Sequence, residues 1–323
     1  MTKDERAAEE TLQYQLLLID SITRHAGVGR HDLVVAGSEL ATDDSLLGGH
    51  PTSHLVGHCL SVSIDALQTV HLILTDSSTG GLRVPVMGQY PVLRTSIESA
   101  SLAVWLLAPD VREERVWRSL SARIDEIHHD DHLVTVLTEA EPTDTKSELA
   151  AKQKQRRENS AESRKQKRRI REYAASAGVP MEGINPGLPG FGPIVRDSGE
   201  TMGRSGIHTQ GIWCYISGLT HPSVKRSVAA SDIERLAAGD GLAARFTANL
   251  PSVVMAVDAA ISAHIAALKL LARRGSIAEI EWFPGPGFPL PPGYAAQAED
   301  GSSAEPRVPS ATTRPERSSA PAW

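Results

Sequence analysis

Aromatic residues are scarce in this chain of 323 residues, where Phe, Trp and Tyr together make up 4%. A core without aromatics has to be built mainly from Leu, Ala, Val and Ile. Because Ala and Leu lose little freedom on entering a helix, this composition favours helices. Hydrophobic content of 41% and charged content of 22% are ordinary for a globular protein, and the length permits a sizeable core.

Cysteine is also rare. Cys59 and Cys214 are too few for a disulfide framework, which excludes the small disulfide-rich secreted class and fits a reducing compartment. No apolar run approaches the ~20 residues that span a bilayer. The charged N-terminus lacks the basic-then-apolar order of a signal peptide. We therefore predict a cytoplasmic protein that has no contact with a membrane.

The alternation of apolar and polar residues that is typical of strands never persists beyond a few residues. Apolar residues instead recur at three- and four-residue steps, and Gly, Pro and Ser mark the breaks. The predicted helices cover 5–26, 88–107, 144–177, 204–221 and 231–274, and two further helices begin at 51–53 and at 109–110. Whether the helix over 231–274 is broken near 239–241 is left open. The segments 28–51 and 179–199 are predicted loops.

The sequence therefore predicts an all-α fold, a single multi-helix bundle domain over residues 1–290 with its core at about 50–275. Pro, Gly, Ser, Ala and charged residues dominate the C-terminal part of the chain. Such a composition buries too little apolar surface to offset the entropy of ordering. Residues 291–323 are accordingly predicted to form a disordered tail.

Charge is distributed unevenly. The net charge is −6, yet residues 146–173 hold eleven Lys or Arg against four Glu, a net +7, so the rest of the chain carries −13. This basic helix has three interpretations: it binds nucleic-acid phosphates, it docks on the acidic remainder or on a partner copy, or it is a solvated helix face. Under the first, RNA is the candidate partner and the binding residues are Arg164, Lys165, Lys167, Arg168 and Arg169.

Two apolar segments carry polar pairs at four-residue spacing. Arg94 and Glu98 share one face of the helix over 88–107, and Ser217 and His221 share one face of the helix over 204–221. If the two helices pack together, these four residues form a buried polar seam. It is either an internal ligand site or a network that fixes helix register.

The same segments carry a resemblance. The runs PVLRTSIESASLAVWLLAP, REERVWR and YISGLTHPS, within residues 50–225, resemble a family of actinobacterial helical proteins without an established function. That family is distantly similar to HEPN domains, which are helical bundles found in toxins, phage-defence proteins and RNA-processing enzymes. The resemblance implies a HEPN-like bundle and a homo-oligomer. Catalytic HEPN proteins are metal-independent ribonucleases that use an Arg and a His separated by four to six residues.

Arg123 with His128 or His129 fits that Arg-His spacing, and so does Arg24 with His31. In these roles the imidazole would accept the proton of a ribose 2′-hydroxyl, and the guanidinium would stabilise charge growing on the phosphate. Chance alone gives about three such spacings in a chain with this many Arg and His residues. The competing interpretation of the His-rich segment is an exposed helix end.

His50, His54 and His58 recur at four-residue steps, as paired zinc ligands often do. The zincin pattern also needs a Glu directly after the first His, and Leu55 stands after His54. We therefore predict neither a metal site nor a cofactor. The functional hypothesis is a non-catalytic or regulatory binding protein, and the alternative is a HEPN-type endoribonuclease of a toxin or phage-defence system.

Overall fold

The protein is described from a computed structural model that covers residues 3–26, 34–238 and 241–278. Its α-helices are α1 (Lys3–Ala26), α2 (Glu39–Leu47), α3 (Thr52–Leu74), α4 (Gln89–Leu107), α5 (Arg112–Leu137), α6 (Lys146–Ser176), α7 (Phe191–Thr201), α8 (Gly206–Ser217), α9 (Val224–Ala229) and α10 (Leu250–Gly275). A 3-10 turn covers Met181–Gly183, and two strands, β1 (Ser231–Ala238) and β2 (Gly241–Ala248), form an antiparallel hairpin. The predicted all-α bundle is confirmed. The predicted tail at 291–323 lies outside the described residues.

The predicted loop over 28–51 is wrong where α2 lies. Ser38 is its N-cap, and the Ser38 hydroxyl accepts a hydrogen bond from the Ala41 amide at 3.1 Å. Gly48, at φ 52°, ends the helix. This pairing of a Ser N-cap with a terminal Gly is a standard helix boundary signal.

The loop predicted over 179–199 is wrong in its second half, where α7 begins at Phe191. Pro193 lies in the first turn of this helix. A proline there interrupts no hydrogen bond, because the first amides of a helix have no intrahelical acceptor. Proline content alone therefore led to the wrong prediction.

The helix predicted over 231–274 is wrong before residue 249. The two strands of the hairpin lie in its first part, with Ser231 paired to Ala248 and Ala238 paired to Gly241, and α10 starts only at Leu250. Asn249 caps α10, because its side chain accepts from the Ser252 amide at 3.1 Å. The two residues between the strands are Gly and Asp, a composition that favours a tight hairpin over a helix break.

Helix α4 is central to the core. Twelve of its nineteen residues are buried, and it packs between α3 and α10. One apolar cluster joins α4 to α1, α3, α8 and α10, and a second joins it to α2, α3, α5 and α10. The core therefore begins earlier than the predicted residue 50, since Leu12, Ile19 and Leu40 are fully buried.

Helix α10 is the one helix in the described part of the chain that is long and apolar enough to cross a membrane. Half of its apolar window is buried within the protein. The buried core helix of a water-soluble protein has the same composition.

Helices α5 and α6 form an antiparallel pair that we term the α5–α6 arm. Near the core the two helices meet through apolar side chains, including Ile124, Ile127 and Ile170. Farther out their contacts are polar: Asp131 of α5 and Thr138, which follows the end of α5, bind side chains of α6. The outer part of the arm is therefore held by hydrogen bonds and ion pairs.

Candidate nucleic-acid interface

Helix α6 is a long, well-bounded and largely exposed element. Thr145 and Glu148 form a capping box at its start, and Gly178, at φ 71°, follows its end. Of its 31 residues only Ser163, Ile170 and Ala174 are buried. One side of this helix packs against α5, and the rest of its circumference is available to solvent or to a partner.

Four arginines of α6 form what we term the basic stripe: Arg157, Arg164, Arg168 and Arg171. An α-helix turns about 100° per residue, so the spacings of seven, four and three place all four within about 60° of one another. All four are exposed. Among the described residues, none of the four has an ion-pair partner. The stripe extends along about 21 Å of helix axis.

The remaining predicted nucleic-acid residues lie elsewhere on α6. Lys165 is ion-paired with Glu162 at 3.5 Å. Lys167 is half-buried and lies 3.4 Å from Asp131 of α5. Arg169 is exposed, but it is about 100° or more around the helix from Arg164 and Arg168, on the side that carries Glu158 and Glu162. Of the five predicted residues, the structure brings Arg164 and Arg168 together on one open face.

A polar groove of about 320 Å³ runs between α5 and α6 beside the stripe. Asn159 Nδ2 donates to Asp131 Oδ1 at 2.8 Å, and the Ser163 hydroxyl also donates to that carboxylate. Burial opposes ionisation of Asp131, but the bonds from Ser163 and Lys167 outweigh it, so the pKa of this carboxyl is lowered. Asp131 therefore stays ionised and neutralises Lys167, which leaves Arg164, on the groove rim, as an uncompensated cation.

The predicted catalytic residues on α5 do not converge on one point. The Arg123 guanidinium binds Glu126 at 2.9 Å, and His129 lies 3.2 Å from Asp125. His128 is exposed. Along one α-helix, five residues correspond to about 140° of rotation and six to about −120°, so both imidazoles point away from Arg123. The structure thus gives Arg123 a carboxylate partner rather than a histidine.

The two helices of the predicted polar seam do pack together, but through different residues. Arg94 Nε binds Glu98 Oε1 at 2.7 Å, and Trp213 Nε1 donates to the same oxygen at 2.9 Å. Arg94 also lies 5.8 Å from the Trp213 ring centre and donates to Thr220 at 3.4 Å. Trp213 and Thr220, rather than Ser217 and His221, connect α8 and its C-terminal turn to α4.

His221 is exposed and lies outside the seam, which corrects the prediction. The reason is that α8 ends at Ser217, whose carbonyl accepts a hydrogen bond from the Thr220 hydroxyl at 2.7 Å. The chain turns there, so the four-residue spacing from Ser217 to His221 no longer defines a shared face. The Ser217 hydroxyl is buried and has no hydrogen-bond partner among the described residues.

Substitution of Glu98 tests how much the polar seam contributes to stability. Glu98→Ala removes the acceptor of both Arg94 and Trp213, and we expect it to lower the free energy of unfolding by about 1–2 kcal/mol, since the pair is only partly exposed. Glu98→Gln retains an acceptor oxygen and should cost less than about 1 kcal/mol. Urea denaturation of both variants measures this. Two variants as stable as the unchanged protein would show that the seam is not structural.

The three histidines considered for a metal site do not form one. His54 and His58 are exposed on α3, and His50 makes an edge-on contact with the Tyr173 ring at 6.2 Å. Burial, together with the charge of Arg123, lowers the pKa of His50. In the described ranges, no group of three or more His, Cys, Asp or Glu side chains is placed to hold a metal ion.

Comparison with known proteins adds no assignment to this geometry. No family model matches the chain, and neither a curated protein nor a solved structure matches it.

Five charged residues form an ionic network that was not predicted from the sequence, and we term it the ionic clamp. Its members are the buried Asp43, Arg115 and Arg274 and the exposed Glu39 and Asp110. Arg274 donates to the carbonyls of Leu107, Ala108 and Pro109, at 3.2, 3.2 and 2.9 Å. Carbonyls at the end of a helix have no intrahelical partner, so Arg274 satisfies groups that α4 leaves open. The clamp is structural, and its one sequence signal was the Ser38 N-cap that places Glu39 and Asp43 on a helix.

Proposed function

We propose that this protein is a non-catalytic binding protein that holds nucleic acid by its phosphates along the basic stripe of α6. The observation that carries the proposal is the set of four exposed arginines on one helix face, none of which is neutralised within the described part of the chain. Surface cations are usually interleaved with acids. A row of uncompensated guanidinium groups is suited to a polyanion.

The charge of the rest of the chain also favours binding at the basic stripe. Outside residues 146–173 the net charge is −13, so nucleic acid is repelled by most of the molecule. Contact is favourable only along α6, where each arginine that approaches a phosphate releases condensed counterions. The unequal distribution of charge therefore selects one binding surface.

The ribonuclease alternative draws no support from this geometry, because Arg123 is bound to Glu126 and the neighbouring imidazoles face elsewhere. A homo-oligomer, implied by the HEPN resemblance, and a cytoplasmic location both stay predictions. Sedimentation of the purified protein would check the first of them.

Neutralising the stripe should abolish most of the binding. We expect the purified chain to bind a fluorescent 20-nucleotide RNA with an affinity that falls steeply with salt. The triple variant Arg157→Gln, Arg164→Gln, Arg168→Gln should lower the slope of log K against log[salt] by about 2 and weaken binding roughly tenfold or more at physiological salt. Fluorescence anisotropy over a salt series measures both quantities.

The matched control is the triple variant Lys154→Gln, Lys165→Gln, Arg169→Gln, which removes the same charge from the same helix on the side that carries Glu158 and Glu162. Its effect should be clearly smaller. Equal losses in the two variants would mean that α6 attracts RNA only by net charge, and the stripe would have no role. Cleavage of the RNA in EDTA, lost in His128→Ala or His129→Ala, would instead establish the ribonuclease.

A further inference from the structure

We infer that the ligand of the basic stripe is a double-helical nucleic acid, bound along one backbone without reading the bases. The inference rests on the proposed function and specifies its ligand class. Three features of α6 carry it: the absence of stacking side chains, the fixed spacing of the arginines, and the position of the glutamates.

The exposed faces of α6 have no platform on which bases could stack. The one aromatic residue of this helix is Tyr173, which is half-buried near the end of the helix and packs against His50. Proteins that bind single strands gain about 1–3 kcal/mol per base from aromatic stacking. Without that contribution, binding depends on phosphates alone.

Binding by charge alone favours the ligand with the higher charge density. A duplex carries one negative charge per about 1.7 Å of its axis, and each neutralised phosphate contributes about 0.9 to the salt slope, against about 0.7 for a single strand. The same four arginines should therefore bind a duplex more tightly than either of its strands.

The helix that carries the stripe is already formed before any ligand arrives. Arg157 and Arg171 are held about 21 Å apart by an unbroken helix that is capped at its start by Thr145 and Glu148. Binding then has to order only the arginine side chains, because their Cα positions are already fixed and a stiff partner needs little ordering of its own. A flexible single strand would have to be straightened along the row, which reduces its affinity.

The glutamates determine how the duplex lies. Glu172, Glu158 and Glu162 are about 70°, 110° and 150° around the helix from the centre of the stripe. The major groove of B-DNA is about 12 Å wide and just admits a helix, so an inserted α6 would turn these carboxylates toward phosphates. The stripe must instead lie on one backbone from outside, where base edges are out of reach. We therefore expect RNA and DNA duplexes of different sequence to bind within a few-fold of one another.

A competition experiment tests this inference. The full chain is incubated with a labelled 20-base-pair RNA duplex and competed with unlabelled RNA duplex, DNA duplex and each single strand, at equal nucleotide concentration. We expect both duplexes to compete about tenfold better than either strand, and duplexes of unrelated sequence to compete equally. The stripe triple variant should lose duplex binding, whereas the Lys154, Lys165 and Arg169 triple variant should keep most of it.

The outcomes separate the two proposals. Single strands that compete as well as duplexes, with binding still lost in the stripe variant, would overturn the duplex inference and leave the proposed function in place. A preference among duplex sequences would overturn binding without base readout. Failure of every nucleic acid to bind would overturn both.

Discussion

Replacing Arg115 by methionine is expected to lower the free energy of unfolding by about 3–5 kcal/mol, the largest effect of any single substitution considered. Arg115 and Asp43 are both almost completely buried, with Arg115 Nε and Nη2 at 2.6 and 3.1 Å from the two carboxylate oxygens. Arg115 Nη1 also donates to the carbonyls of Pro109 and Asp110, at 3.1 and 2.9 Å. Its removal leaves a buried charge without its partner and takes one hydrogen bond from each carbonyl, of which that of Pro109 is buried.

The size of the effect follows from burial rather than from the number of bonds. Burial raises the pKa of Asp43, and the hydrogen bond and charge of Arg115 oppose that rise. Without Arg115, nothing of comparable strength stabilises the ionised carboxylate at a site closed to water. Denaturation by urea at neutral pH measures the loss, with the midpoint and slope compared with those of the unchanged protein.

Two further variants make this prediction specific. Arg112→Met, at the start of the same helix, removes a cation whose pair with Glu113 is about half exposed, and it should cost less than about 1 kcal/mol. The double variant Asp43→Leu, Arg115→Met removes both charges and should be more stable than Arg115→Met alone. A double variant less stable than either single one would contradict a desolvation origin.

The clamp also shows where prediction from sequence stops. Periodicity and boundary residues located α3, α4, α5 and α6 to within a few residues, because those signals are local. The partner of Arg115 is 72 residues away, on a helix that was taken for a loop. Nothing within REERVWR distinguishes the buried Arg115 from the exposed Arg112, because burial depends on how α2 and α5 pack.

The candidate interface, too, could be predicted from the sequence only in part. The spacing of Arg157, Arg164, Arg168 and Arg171 is visible in the sequence, and a helical projection alone aligns them. That Lys167 is neutralised by Asp131 is not visible, because it depends on how α5 lies against α6. His221 was misplaced for a local reason: α8 ends at Ser217, four residues before the predicted end at residue 221.

Stability should also fall between pH 6.5 and 4, through His264. This residue is buried where α10 meets α3 and α4: its Nδ1 lies 3.0 Å from the Ser63 hydroxyl, which lies 3.0 Å from that of Ser96. Burial lowers the pKa of His264 to about 4. The imidazole therefore remains neutral in the folded protein, whereas in the unfolded chain it titrates near its ordinary value of about 6.5.

Acid lowers the stability because the folded and unfolded states bind different numbers of protons. Between pH 6.5 and 4 the unfolded chain takes up a proton that the folded protein excludes, so acid favours unfolding across this window. The lowering of the His264 pKa from 6.5 to about 4 corresponds to about 3 kcal/mol of unfolding free energy. This contribution to stability is present in full above pH 6.5 and is lost by about pH 4. Urea denaturation at closely spaced pH values should show this slope.

Other groups also contribute to acid sensitivity, so the comparison between variants decides the assignment. His264→Leu removes the titrating group from the core while leaving the Ser63–Ser96 pair, and its stability should depend less on pH between 6.5 and 4 than that of the unchanged protein. His54→Gln, at an exposed position of α3, should leave the profile unchanged. If the His264→Leu profile matches that of the unchanged protein, the imidazole binds its proton equally in the folded and unfolded states, and burial does not control its charge.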